Sequence, residues 1–136
     1  MEKELTAGLI IKDGRLLMLH NIKHGTARIE PPGGKRHEGE SLEDSVRREL
    51  AEELGLAAGS LAYFGAYATH SPEGPFTVHM YLCGNVTGTP CLLEPDKFCA
   101  FGWYTVDELR RFREEGSLVP NMAEALDGLA RLLSVK

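Results

Sequence analysis

Cysteine is scarce in this sequence, and it is spaced so that neither of its usual structural uses is open. Cys83, Cys91 and Cys99 stand eight residues apart, an odd set without a Cys-x-x-Cys pair. That excludes a disulfide framework and a zinc knuckle, and points to buried or half-buried thiols in a reducing cytoplasm. Long hydrophobic runs are missing too. None approaches the roughly 18 residues that a membrane-spanning helix needs, so no membrane partner is expected. The start, Met1-Glu2-Lys3-Glu4, is charged and does not read as a signal peptide. Positive charge is in deficit: 15 Lys and Arg against 20 Asp and Glu leave a net charge of −5. Such a chain is a poor candidate for gripping a nucleic acid polymer, and it needs local cations or a metal to bind phosphate. Repeats, linkers and low-complexity tracts are absent as well. The 136 residues suit one domain over 1–136, with an ordinary globular balance of 43% hydrophobic and 26% charged residues.

What is present is a pattern of strands with one early helix and two late ones. Leu5 to Ile11 is strand-like, Asp13-Gly14 is a turn, and Arg15 to His20 supplies a partner, so the chain is expected to open as a hairpin. Asn21 to Ala27 reads as a polar loop, and Pro31-Pro32-Gly33-Gly34 as a break in regular structure. A helix is predicted over Leu42–Leu54, with Ser41 as N-cap, Asp44 completing an imperfect capping box and Gly55-Leu56 a Schellman-type ending. Leu61 to Thr69, Phe76 to Val86 and Phe98 to Tyr104 read as strands, with the turn formers of 71–75 between the first two. Asp107 to Glu114 and Asn121 to Leu133 read as helices, with Asn121 as the N-cap of the second. The order implies an α/β (α+β) domain, an α/β/α layering about a mixed sheet.

The chemistry concentrates on the first helix. Glu49, Glu52 and Glu53 stand at i, i+3 and i+4 and share one face, where they repel one another unless a cation sits among them. The plainer reading of three such charges is a solvated acidic face. Geometry weighs against it. Leu42, Val46, Leu50 and Leu54 define the buried stripe, Glu53 falls inside that stripe, and Glu49 lies at its edge. Carboxylates at the border of a core are expensive unless paired or bound to metal, and hard oxygen ligands suit Mg²⁺ or Mn²⁺. Upstream, Gly33-Gly34 can bring bare backbone close to a ligand, and Lys35 and Arg36 could meet phosphate oxygens.

Together these residues resemble the Nudix box, G-x5-E-x7-R-E-U-x-E-E-x-G-U, where U is an apolar aliphatic residue. The sequence fills it as Gly34, Glu40, Arg48-Glu49-Leu50, Glu52-Glu53 and Gly55-Leu56, over 23 residues. The resemblance implies a Nudix α/β/α fold and a metal-dependent pyrophosphohydrolase that takes a small-molecule nucleotide. It implies that Glu52 and Glu53 are the main metal ligands, joined by the Gly33 carbonyl, and that Glu49 ligates metal or helps activate water. Glu40 would lie near the metal cluster, Arg48 would orient the glutamates, and Leu50 and Leu54 would be core. It also implies a homodimer as a common assembly.

Glu94-Pro95-Asp96-Lys97, Trp103 and Asp107-Glu108-Leu109 are similar to the region after the box in MutT-like nucleoside triphosphate diphosphatases. That similarity favours conversion of a nucleoside triphosphate to a monophosphate and pyrophosphate, including removal of modified nucleotides. Asn121 matches a base-reading asparagine of some members, although capping is the weightier expectation for it. Trp103 is expected to anchor the core. Pro72 is placed as in ADP-ribose pyrophosphatases, which keeps an ADP-ribose or nucleotide-sugar pyrophosphatase as the alternative. A non-catalytic nucleotide-sensing module is the reading from a different class. The sequence departs from the family at His37, where a glutamate is common. It departs again at 98–102, which lacks a late acidic residue, so that only Glu94 or Asp96 could complete the metal site.

Overall fold

Leu16, Leu17, Met18 and Leu19 are all fully buried, so the strand that carries them must be covered on both faces. The computed structural model describes residues 3–22, 28–71 and 74–134 and shows how. The strands are β1 (Lys3–Leu9), β2 (Ile11–Lys12), β3 (Arg15–Asn21), β4 (Arg28–Glu30) and β5 (Gly33–Lys35), then β6 (Ser60–Ser71), β7 (Gly74–Gly84) and β8 (Phe98–Tyr104). The helices are α1 (Leu42–Leu54), α2 (Val106–Glu115) and α3 (Pro120–Ser134).

Among the described residues the strands form two sheets of four. One runs β5-β1-β7-β6 and is mixed, because β1 and β7 are parallel. The other centres on β3, which pairs antiparallel with β2, β4 and β8. Period-two alternation sorts side chains between two cores. Ala7, Leu9, Leu16, Met18 and Met80 join Leu109, Met122, Leu126 and Leu129 of α2 and α3. Leu17, Leu19 and Tyr81 join Val46, Leu50 and Leu54 of α1, with Trp103 packed partly buried against them. Helices thus cover both sides of the sheets, and the fold is the expected α+β layering with a mixed sheet.

Three local expectations are corrected. Leu5 to Ile11 is not one strand paired with the next; the chain changes sheets at Ile10, and only Ile11 and Lys12 pair with β3. Gly33 and Gly34 are not a break but part of β5, in register with Ala7 and Thr6. The connection between β6 and β7 is also shorter than read, since Ser71 already pairs with Gly74. Pro72 and most of the 21–27 loop lie outside the described residues. Among the described residues no helix is long and apolar enough to cross a membrane. Two thiols expected to be covered are exposed: Cys91 and Cys99 are free at the surface, and Cys83 is free and half-buried.

Candidate active site

Helix α1 is fixed by local signals. The Ser41 side chain accepts a hydrogen bond from the Asp44 N–H at 3.0 Å. At the other end Gly55 adopts a left-handed conformation, φ 70°, and its N–H donates to the Ala51 carbonyl. Val46, Leu50 and Leu54 are buried, and Thr6 on β1 shares a buried 2.9 Å hydrogen bond with Ser45. These contacts set the rotation of the helix, and that rotation decides where the glutamates go. Glu53 is 0% exposed and Glu49 is 8% exposed, whereas the Glu52 side chain is half-exposed.

Arg48 gathers one group of carboxylates. Its Nε and Nη2 donate to Glu40 at 2.8 and 3.0 Å, and its Nη1 donates to Glu49 at 2.8 Å and Glu52 at 2.9 Å. Nη2 also donates to the Lys35 carbonyl at 2.9 Å, tying the helix to β5. The guanidinium, together with the His37 N–H, holds the Glu40 carboxyl down at about 2. The same carboxylates hold the Arg48 guanidinium firmly protonated.

Glu53 is treated differently. Its Oε1 accepts the Gly33 N–H at 2.8 Å, and its Oε2 is buried with no hydrogen-bond donor among the described residues. The nearest cation is the Lys97 ammonium, 3.5 Å from Oε2. Burial pushes the carboxyl up to about 8; the Gly33 N–H and Lys97 oppose that rise, while the charges of Glu49 and Glu94 add to it.

Gly33 is required by space, since a Cβ there would run into the Thr6 carbonyl oxygen. A Cβ on Gly34 would meet only the carboxyl end of Glu49, 2.8 Å from its carbon. The carboxylates of α1 therefore lean against bare backbone of β5.

Most box residues are thus brought together: Gly33, Gly34, Glu40, Arg48, Glu49 and Glu53 form one contact set, with Glu52 at its rim. Lys35 is exposed on the edge strand. Arg36, expected at phosphate, is committed instead to Glu4 at 2.8 Å and to the Glu40 carbonyl at 3.0 Å. Asn121 is not an N-cap: α3 begins at Pro120, and Asn121 is buried within its first turn. Glu108, noted as part of a motif, closes a capping box with Thr105 at the start of α2. Glu94 accepts the N–H groups of Lys97 and Phe98 through its carbonyl, shaping the turn that brings Lys97 back to Glu53. Lys97 is the site residue that sequence reasoning missed. It was visible only as a letter in a motif, because no spacing rule ties a residue 44 positions away to Glu53.

The donor set suits a divalent ion. It consists of hard carboxylate oxygens, and one of them is buried and without a hydrogen-bond donor. Glu49 and Glu52 are turned towards Arg48, and among the described residues no three His, Cys, Asp or Glu side chains converge as a cluster that could hold a metal.

The chain matches the family model "NUDIX domain" over residues 2–128. An oxidized purine nucleoside triphosphate hydrolase of Mus musculus is 31% identical over 107 residues, covering 76% of this chain and 67% of that protein. The NAD-capped RNA hydrolase NudC of Shigella flexneri is 25% identical over 124 residues, 90% of this chain but only 46% of the longer relative. Among solved structures, a MutT NUDIX hydrolase from Burkholderia pseudomallei superposes with a TM-score of 0.73 at 28% identity, covering 80% of this chain and 87% of that one. With the family model spanning nearly the whole chain and the box residues assembled between β5 and α1, the protein belongs to the Nudix family as a MutT-like Nudix hydrolase.

Proposed function

We propose that the protein hydrolyses a nucleoside triphosphate to the monophosphate and pyrophosphate with Mg²⁺, Mn²⁺ serving as a substitute, and that oxidised or otherwise modified nucleotides are its substrates. The observation that carries the metal-dependent chemistry is Glu53. A carboxylate with no exposed surface and an oxygen lacking a donor is costly, and such groups are kept where a cation is to be bound. The choice of substrate is supported by the similarity to an oxidized purine nucleoside triphosphate hydrolase.

In this reading Glu53, Glu52, Glu49 and the Gly33 carbonyl would hold the metal. Once bound, it would neutralise diphosphate charge and lower the pKa of a coordinated water. The chain's own residues do the rest. The Gly33 N–H fixes one oxygen of Glu53 and leaves the other open. Arg48 restrains Glu40, Glu49 and Glu52, so little orientational freedom is left to lose when substrate arrives. One of these carboxylates takes the proton of the attacking water. Gly34 and Lys35 border the site on the exposed edge strand and are assigned to the phosphates; Arg36, spent on Glu4, supports the loop instead. Asn121, released from a capping role, is assigned to the base. Exposed free thiols at Cys91 and Cys99 fit a cytoplasmic, reducing setting.

A second reading keeps the same metal site but places the cleaved diphosphate between a nucleotide and another moiety, as in ADP-ribose or a nucleotide sugar. The similarity to NAD-capped RNA hydrolases favours it. A non-catalytic module is disfavoured, since all the box glutamates are kept. Product analysis separates the readings. We expect pyrophosphate from an oxidised purine triphosphate in the presence of Mg²⁺. AMP plus ribose phosphate from ADP-ribose, with triphosphates untouched, would establish the second. Nucleotide binding with no hydrolysis of any substrate would establish the third.

A further inference from the structure

The segment 91–98 is docked on the end of α1 by main-chain bonds. The Cys91 N–H donates to the Leu54 carbonyl at 3.1 Å, and the Leu93 N–H donates to the Glu53 carbonyl at 3.1 Å. The chain then turns at Glu94, whose carbonyl accepts the Lys97 and Phe98 N–H groups, and the Lys97 carbonyl is fixed by the Ile22 N–H at 3.2 Å. Lys97 is thus carried on a backbone tied down at both ends. Its side chain is one-third exposed, and its ammonium lies 3.5 Å from the buried Oε2 of Glu53. That ammonium also lies 5.1 Å from the centre of the Phe98 ring.

Every other carboxylate of the set is served by Arg48, which leaves Lys97 as the cation nearest the one oxygen without a donor. We infer that Lys97 is the resident cation of the metal-free site, a positioning residue whose ammonium holds the place at Glu53 Oε2 that a divalent ion takes over. The inference rests on the metal-dependent reading above. The physical reason is mutual exclusion: an ammonium and a divalent cation cannot share one buried oxygen at contact distance without strong repulsion. The ammonium already lies over the Phe98 ring, a favourable contact that it can keep when it leaves Oε2. The expected consequence is a site kept ordered without metal, at the expense of metal affinity.

The test is a titration of Mn²⁺ into metal-free protein, read by the loss of free-ion electron paramagnetic resonance signal, without substrate. Lys97→Met and Lys97→Gln remove the charge and should bind Mn²⁺ at least roughly fivefold more tightly than wild type. Lys97→Arg keeps a cation of similar reach and should stay within about twofold of wild type. Equal or weaker Mn²⁺ binding in both neutral variants, with normal binding by wild type, would overturn the role of Lys97 and leave the metal site standing. Wild-type protein that takes up no Mn²⁺ would overturn the metal-dependent reading itself, and this inference with it.

Discussion

Around Arg48, three carboxylates each have a donor within 3.0 Å; one helical turn further on, the Glu53 carboxylate has no exposed surface and one oxygen without a donor. The first group is satisfied by the protein alone. It resembles a structural brace, linking α1, β5 and the loop at Glu40 through a single guanidinium. The second is left incomplete at the place where incompleteness costs most, since a buried polar atom without a partner forfeits its hydration. The contrast separates carboxylates that the protein already holds in place from the one oxygen still without a hydrogen-bond partner. Similar charges on one helix face therefore have unlike roles, set by rotation about the helix axis.

Substitutions should reproduce that division. The largest effect is expected at the incomplete end. Glu53→Gln keeps the shape and the hydrogen bond from Gly33 while removing the charge, and should cut kcat at least about 100-fold with an unchanged circular dichroism spectrum. Near-normal turnover would remove Glu53 from the metal site and dissolve the contrast. A smaller loss belongs to the brace: Arg48→Gln should reduce kcat/KM by roughly 10- to 100-fold, because it acts through the orientation of other groups. If its loss matched that of Glu53→Gln, the brace would be part of the chemistry.

How much of this was legible in the sequence depends on the range of the interactions. Helix α1 was readable to its caps because Ser41, Gly55 and the leucine stripe act within a few residues of themselves. The burial of Glu53 followed from the same stripe. Sheet membership was not readable. Nothing local says that the chain changes sheets at Ile10, and the pairing of β5 with β1 depends on Gly33 fitting against Thr6. Lys97 and the Glu4–Arg36 pair were hidden for the same reason: their partners are remote in sequence. The start of α3 is a different failure. Proline is favoured at a first helical position, so Pro120 carried the signal that was given instead to Asn121.

The brace also sharpens the comparison through pH. Glu40 is held at about 2, below the ordinary 4.5 of the unfolded chain, so between those values the folded protein binds fewer protons. Its stabilising contribution is complete above about 4.5 and is lost as pH falls through about 2. Thermal melts across that acid range should show a shallower decline for Glu40→Gln than for wild type; parallel curves would contradict the pairing with Arg48. The smallest effect concerns a residue in neither group. Asn121 lies inside the first turn of α3 and not at its cap, so Asn121→Ala should destabilise the fold only modestly, by about 1 kcal/mol. Its effect should fall on discrimination between oxidised and normal purine triphosphates, measured as a ratio of kcat/KM; an unchanged ratio would remove Asn121 from base recognition.

The central claim is that the unsatisfied oxygen of Glu53 marks the place of a divalent ion. Differential scanning calorimetry of wild type and Glu53→Gln, each with excess chelator and then with saturating Mg²⁺, tests it without any substrate. The account predicts that Mg²⁺ raises the Tm of wild type by several degrees, roughly what a few kcal/mol of linked binding gives a domain of this size, and leaves the variant unmoved. An equal rise in both proteins, or no rise in wild type, would contradict it.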